Sequence, residues 1–244
     1  MDAKGVKGDK GIKGVSFFSR ILDFIAPRSC CICGSRLSMS EEALCTVCDL
    51  HLPRTDFCQQ AEDNEMARMF WGLIPINRCA ALFYYENHSQ TAGMLYDLKY
   101  RQRPEIGTTM GRMMADEMTA TGFFNDIDAL IPIPLSQQRQ RQRGYNQSTE
   151  IAKGISERTR IPVIEKAVKR QVFVESQTKK SFWERRDNVE GVFQLVDPAI
   201  IAGKHLLVID DVMTTGATIT ACARELLKSE GVRISVLTLA FTKS

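Results

Sequence analysis

One stretch near the carboxyl end constrains the fold most: an apolar strand that runs directly into two acids, two threonines and a glycine. It reads His205-Leu-Leu-Val-Ile-Asp210-Asp211-Val-Met-Thr214-Thr215-Gly216-Ala217-Thr218, and a helix with one apolar face follows. The strand, His205 to Ile209, is almost wholly apolar, which is typical of a strand buried on both faces of a parallel sheet. Ligands of open α/β sheets bind at the carboxyl ends of the strands. The stretch therefore predicts an α/β fold with a ligand site at this edge.

The turn after the two acids has the composition of a phosphate-binding loop. A helix N-terminus offers unpaired N–H groups and the positive end of the helix dipole, Gly216 lets the backbone approach closely, and the threonine hydroxyls add donors. The acids would repel a phosphate, so we expect Asp210 and Asp211 to bind the hydroxyls of a sugar. Together these features indicate a ribose 5-phosphate. A Walker loop is excluded because Gly-Lys-Thr/Ser is absent, and the alternative is a turn merely capped by Asp and Thr.

The chain before this stretch alternates between strand and helix patterns. Strands are predicted at Arg78 to Tyr85, Ile127 to Ile131 and Val192 to Val196, and a last strand at Val232 to Ala240. Helices are predicted at His88 to Tyr100, Ile106 to Thr119 and Gln147 to Glu157, the second with a methionine stripe that fills the core (Met110, Met113, Met114, Met118). Such alternation favours a parallel sheet flanked by helices.

Five of the eight cysteines lie between positions 30 and 48. Cys30-x-x-Cys33 and Cys45-x-x-Cys48 are separated by eleven residues, and two such pairs complete a tetrahedral shell of four thiolates with no open position. The pattern predicts a structural zinc site. Cys31 could compete as a ligand, although Cys30 with Cys33 has the better spacing. The alternatives are buried free cysteines or a redox C-x-x-C pair.

These patterns divide the chain into three parts: a basic leader with a short helix (residues 1–27), the four-cysteine module (28–60) and the main domain (61–244). Hydrophobic residues make up 44%, charged residues 25%, and the net charge is +3, ordinary values for a globular protein. No apolar run approaches the roughly 18 residues of a membrane-spanning helix. No signal peptide is recognisable, so we expect a cytoplasmic protein.

Two levels of family resemblance follow from these residues. The string Val208 to Thr218 resembles the phosphoribosyl-pyrophosphate signature of type I phosphoribosyltransferases. Four further segments resemble the ComF family of competence-associated, amidophosphoribosyltransferase-like proteins: the four-cysteine module, Leu98-Lys99-Tyr100, Pro132-Ile-Pro134 through Arg143-Gly-Tyr145-Asn146-Gln147, and Gln177-Thr178 through Arg185-x-x-Asn188. The resemblance spans about residues 28 to 241. It implies a type I phosphoribosyltransferase-like parallel sheet with a small N-terminal zinc-ribbon-like module.

The resemblance also implies roles for individual residues. Asp210 and Asp211 would contact the ribose 2′- and 3′-hydroxyls, and Thr214, Thr215, Gly216, Ala217 and Thr218 would hold the 5-phosphate. The pyrophosphate loop would be Pro132, Ile133, Pro134 and Leu135, and residues 171–188 would form a mobile loop over the site. Lys99, Arg143 and Arg185 are the candidates that, with Mg²⁺, would neutralise the leaving pyrophosphate.

Two functions of different class remain open. The first is an enzyme that transfers a phosphoribosyl group, with Mg²⁺, to an unidentified acceptor in nucleotide metabolism or DNA uptake. The second, which the ComF resemblance implies, is a non-catalytic protein of DNA uptake that binds single-stranded DNA and DNA-uptake proteins, or that senses a phosphoribosyl ligand without turnover. There the Gln137 to Arg143 stretch and residues 166–187 would follow the backbone, and Tyr145, Phe182 or Trp183 would stack on bases.

Overall fold

The computed structural model describes residues 28–171 and 191–243. Several sequence predictions lie outside those ranges. They are the short helix at Phe17 to Ala26, the candidate Arg185, most of the expected mobile loop, and the candidate stacking side chains Phe182 and Trp183. In the part of the chain that is described, no helix is long and apolar enough to cross a membrane.

Four parallel strands form the central sheet. Numbered along the chain, they are β1 (Cys79–Tyr85), β2 (Ala129–Pro132), β5 (His205–Met213) and β6 (Arg233–Thr242), in the spatial order β1-β6-β5-β2. Val236 of β6 lies opposite both Cys79 of β1 and Val208 of β5. From Ile234 to Phe241, every residue of β6 is buried, as expected for a central parallel strand. The predicted α/β class is confirmed.

Both edges of this sheet are covered by other segments of the chain. On the β1 side, the Thr55 N–H donates to Leu82 O at 3.2 Å and the Tyr84 N–H donates to Pro53 O at 2.8 Å. On the β2 side, Leu130 forms a parallel bridge with Val163. Covered edges leave no open row of backbone donors and acceptors for another strand to join.

The helices that flank the sheet are α3 (Gln90–Tyr100), α4 (Pro104–Thr119), α6 (Gln147–Thr159) and α7 (Ala217–Leu226). Two shorter helices, α1 (Thr46–Leu50) and α2 (Glu65–Arg68), precede them. Met110, Met114 and Met118 are buried on α4, as predicted. Gly111 of α4 and Gly154 of α6 let these helices touch: a Cβ on Gly154 would lie 2.0 Å from Thr108 O.

Two segments differ from the sequence prediction. Val192 to Val196 was expected in the strand–helix alternation, but Phe193–Leu195 (β4) pairs antiparallel with Val168–Arg170 (β3) in a separate two-stranded sheet. No helix was predicted for the stretch Gln137–Arg143, which forms one (α5). Ser136 caps it by accepting from the Arg139 N–H at 3.3 Å, and Gly144, at φ +79°, ends it.

Residues 28–60 pack against the same core as the sheet. Their leucines Leu37, Leu44 and Leu52 are buried in one hydrophobic cluster with the strands. Glu42 forms ion pairs with Arg112 of α4 (2.6 Å) and Arg158 of α6 (2.7 Å). The cysteine-bearing segment therefore contacts both helices of the α4–α6 pair.

Candidate functional site

Four cysteines converge in the segment before the sheet. The Sγ atoms of Cys30, Cys33, Cys45 and Cys48 all lie within 4.8 Å of one another. The first pair sits on a tight knuckle that Gly34 closes at φ +74°, its N–H donating to Cys30 O at 3.0 Å. The second pair spans the start of α1, with Cys45 as its N-cap. Cys31 is not part of the cluster.

The geometry of this cluster fits a tetrahedral zinc ion. Sulfurs about 2.3 Å from zinc would be about 3.8 Å apart, and the Cys33 and Cys45 sulfurs are 3.7 Å apart. Hydrogen bonds with Ser35 lower the pKa of Cys33 to about 6, whereas burial raises the pKa of Cys48. Burial raises the pKa of Cys31 to about 11, so this fifth thiol is held in its neutral form. The cluster could hold a metal such as zinc.

The acid pair lies inside strand β5 and not just beyond it, because β5 continues to Met213. Asp210 Oδ1 accepts from the Asp211 N–H at 2.9 Å and from Ser148 Oγ at 3.1 Å. Asp211 Oδ2 pairs with Lys99 Nζ at 3.2 Å. The predicted candidates Lys99, Asp210 and Asp211 are therefore brought together.

The two carboxylates have different environments. Burial, and then the charge of Asp211, raises the pKa of Asp210 to about 7, although the bond from Ser148 and the charge of Lys99 act in the opposite direction. Two neighbouring carboxylates in a desolvated place resist joint ionisation. Near neutral pH, the Asp210 carboxyl is therefore only partly ionised, and a cation placed beside it would favour its charged form.

The predicted phosphate loop is a three-residue turn, Thr214 to Gly216, between β5 and α7. Thr214 and Thr215 are exposed, while Gly216 is buried at φ +73° as the N-cap of α7. A Cβ on Gly216 would lie 2.9 Å from the Met213 side chain and 3.2 Å from the Phe70 ring. Ala217 and Thr218 are the first residues of the helix, where N–H groups have no partner within the helix. The Ala217 N–H donates instead to Thr215 Oγ1 at 3.4 Å.

Residues 145–148, at the start of α6, form hydrogen bonds to three parts of the site: the end of α3, the predicted pyrophosphate loop and the acid pair. The Tyr145 hydroxyl donates to Leu98 O near the end of α3. Asn146 Nδ2 donates to Ile133 O, in the predicted pyrophosphate loop, at 2.9 Å. Ser148 reaches Asp210 as described. The segment singled out in the sequence thus serves to position the other segments, and Tyr145 is half-buried with its hydroxyl engaged, so it is a poor stacking platform.

A cationic cleft of about 350 Å³ lies between the end of α3 and α5. Its lining consists of Lys99, Tyr100, Gln102, Arg139, Gln142 and Arg143, which gives three cations and no carboxylate. Arg143 Nη1 donates to Gln147 Oε1 at 2.8 Å, and its guanidinium lies 5.2 Å from the centre of the Tyr100 ring. Lys99 joins this cleft to the acid pair.

Sequence reasoning placed Tyr100 in a segment of the family resemblance and Arg170 in the basic residues 166–187, but it gave neither an individual role and did not single out Tyr96. Arg170 of β3 is half-buried over the Phe193 ring, and burial followed by the charge of Arg139 lowers its pKa, while Asp210 raises it. Tyr96 and Tyr100 are 54% and 61% exposed, with ring centres 4.9 Å apart. The tyrosines' spacing of four on a helix was a usable signal; nothing local placed Arg170 near Asp210.

The parallel sheet, with the acid pair and the glycine turn at its carboxyl edge, defines a phosphoribosyltransferase-type fold. The chain belongs to the phosphoribosyl transferase domain family, whose model matches residues 114–244. The "DNA utilization protein YhgH" of Escherichia coli O157:H7 is 27% identical over 235 residues, covering 88% of this chain and 98% of that protein.

Two further relatives carry competence names. "Competence protein F" of Haemophilus influenzae is 34% identical over 151 residues, 60% of this chain and 66% of that protein. "Competence protein ComFC" of Bacillus subtilis is 35% identical over 111 residues, 45% of this chain and 43% of that protein. With the matching domain, these relatives confirm the resemblance to the ComF family. A solved structure of "the allosteric regulatory enzyme of purine biosynthesis" superposes at a TM-score of 0.39, 20% identical, over 58% of this chain and 29% of that one.

Proposed function

We propose that this protein binds phosphoribosyl pyrophosphate with Mg²⁺ and acts as a phosphoribosyltransferase-type protein of DNA uptake or nucleotide metabolism. The observation that carries the proposal is the acid pair, Asp210 and Asp211, directly before the glycine turn of α7. The carboxylates can accept hydrogen bonds from the two hydroxyls of a diol, and the helix N–H groups can hold a phosphate. These are the two ends of a ribose 5-phosphate.

Different side chains and backbone groups would bind different parts of such a ligand. Asp210 and Asp211 would hold the ribose hydroxyls, while residues 214–218 would hold the 5-phosphate. Lys99, Arg143 and Arg139 would face the pyrophosphate as negative charge develops on it, which is the stage at which fixed cations contribute most. Mg²⁺, when bound with the ligand, would neutralise part of that charge.

Calorimetric titration with phosphoribosyl pyrophosphate and Mg²⁺ tests this proposal. We expect binding by the parent chain and none by the double variant Asp210→Asn with Asp211→Asn. The matched control is Glu62→Gln with Asp63→Asn, an adjacent, exposed acid pair elsewhere on the surface, which should bind like the parent. Equal binding by the Asp210/Asp211 variant would contradict the placement of the site, and no binding by the parent would contradict the proposal itself.

A second candidate function, binding of single-stranded DNA, is favoured by a different observation. The exposed rings of Tyr96 and Tyr100 continue outward from the cationic cleft, and the Arg101 guanidinium lies 5.9 Å from the centre of the Tyr96 ring. Aromatic rings beside a basic groove are the elements that hold single strands without sequence preference.

Fluorescence anisotropy with a labelled thymidine oligonucleotide tests this second function. Tyr100→Ala should weaken binding about 5- to 100-fold, the range for loss of one stacked base. Trp71→Ala removes an exposed aromatic side chain (63% exposed) that does not line the cleft, and it should leave the affinity unchanged. If the two variants weaken binding equally, or neither does, α3 is not the platform.

A further inference from the structure

The cationic cleft has an inner and an outer end, and each adjoins a different candidate ligand site. At the inner end, Lys99 lines the cleft and pairs with Asp211 at 3.2 Å. At the outer end, Tyr100 and Arg143 line the cleft, and the Tyr100 ring continues to Tyr96. A ligand that enters from either end therefore reaches the same three cations.

The charges in the cleft can neutralise one polyanion but not two. Lys99, Arg139 and Arg143 are the cationic residues of its lining, and Lys99 is already shared with Asp211. Once a pyrophosphate group occupied a cleft of about 350 Å³, a second phosphate would meet like charge within a few ångströms. That separation is well inside the screening length of about 8 Å at physiological salt.

We propose that phosphoribosyl pyrophosphate and single-stranded nucleic acid exclude each other from this protein, because the pyrophosphate of one and a backbone phosphate of the other occupy the same cleft. Binding of the small ligand thereby releases the strand. This inference rests on both proposed functions, and it specifies how they are coupled: the sites overlap at Lys99, Arg139 and Arg143 and are separate at the acid pair and at the tyrosines.

A displacement titration tests the coupling. The parent chain is saturated with a labelled thymidine oligonucleotide, and phosphoribosyl pyrophosphate with Mg²⁺ is added while anisotropy is followed. At a ligand concentration ten times its own calorimetric Kd, the apparent Kd of the oligonucleotide should rise about elevenfold. Ribose 5-phosphate lacks the pyrophosphate and should displace the strand far less. Sodium sulfate at equal ionic strength controls for screening.

The Asp210→Asn, Asp211→Asn variant separates specific competition from a salt effect. It should hold the oligonucleotide at least as tightly as the parent, because Lys99 is no longer paired with Asp211, and phosphoribosyl pyrophosphate should no longer displace it. Displacement that is as strong in this variant as in the parent, or a ternary complex in which both ligands stay bound to the parent, would overturn the inference. Absence of either ligand's direct binding to the parent would instead overturn the corresponding proposed function, and the coupling with it.

Discussion

Asp210 lies where a ligand would bind, and its burial there raises its pKa. Burying this carboxyl destabilises the folded chain. Below about pH 4 its carboxyl is neutral in the folded and the unfolded chain. Between about pH 4 and 7 the unfolded chain releases the proton while the folded chain retains it, because the folded pKa is about 7. The free energy of unfolding therefore falls as the pH rises through this window.

Asp210→Asn should accordingly stabilise the fold at pH 8 and change its stability little at pH 3.5, below that window. We expect a gain of about 1–2 kcal/mol at pH 8, below the ceiling of about 4 kcal/mol that a full three-unit shift would give, because the surroundings of a buried carboxylate relax when it ionises. Thermal unfolding of the variant and the parent at both pH values measures this difference in stability. Asp63→Asn, which removes an exposed carboxyl, should change the melting temperature little. A variant less stable at pH 8 would contradict the burial argument.

The cysteine cluster gives a second prediction for single residues. We expect one zinc ion per parent chain and well below one per Cys30→Ser chain, since three thiolates seldom hold a structural zinc. Cys31→Ser is the matched control: it removes the neighbouring thiol, which lies outside the cluster, and should leave the content at one. Metal analysis of the purified variants decides between them. Equal loss in both would place Cys31 among the ligands.

At the scale of elements, the contact between α4 and α6 depends on its glycines. A Cβ at Gly154 would lie 2.0 Å from Thr108 O, which is backbone and cannot move aside. Gly154→Ala should therefore destabilise the fold by about 2–4 kcal/mol, measured by denaturant unfolding. Gly93→Ala, on α3 with no atom within 4 Å, should be neutral or stabilise by up to about 1 kcal/mol. Similar outcomes for both would contradict this close contact.

The elements also show what could be predicted from the sequence and what could not. Strands β5 and β6 were predictable because continuous apolar runs have few alternatives in an α/β chain. Helix α5 was not, because none of its residues is buried and seven polar residues carry no hydrophobic periodicity. The length of β5 beyond Ile209 was also missed, since Asp210 and Asp211 interrupt the apolar pattern while their backbone still pairs with β6.

Within the candidate site, the acid pair, the glycine turn and the four cysteines could be found because each is a local pattern. The nearness of Lys99 to Asp211 was suggested only by the family resemblance. Arg170 required the tertiary fold, since it lies on a small hairpin whose position no local pattern encodes, close enough for the charge of Asp210 to raise its pKa.

At the scale of the whole molecule, residues 28–60 are joined to helix α4 by an ion pair and share a core with the sheet. Arg54 Nη2 lies 2.6 Å from Asp49 Oδ1 on α1 and 2.7 Å from Glu117 Oε1 on α4. The shared hydrophobic cluster spans both parts. Although the sequence suggests a boundary at residue 60, we expect the two parts to unfold together.

Arg54→Met should lower the stability of the zinc-loaded protein by about 1–2 kcal/mol, because it leaves two carboxylates without their shared partner. The unfolding curve should stay a single transition by both near-UV signal and zinc release. Arg68→Met breaks an exposed pair with Asp63 and should change stability by less than about 0.5 kcal/mol. Two separated transitions would show that residues 28–60 form an independent unit.

The hydrogen bonds of residues 145–148 have a consequence for any attempt to re-engineer this chain. Tyr145 and Asn146 are tied to Leu98 and Ile133, whereas Ser148, inside the helix, is tied to Asp210. One inserted residue between them would turn the helix by about 100° relative to the tied segments and carry Ser148 away from its partner. Side chains here can be varied one at a time, but loop grafts and length changes should start outside this stretch.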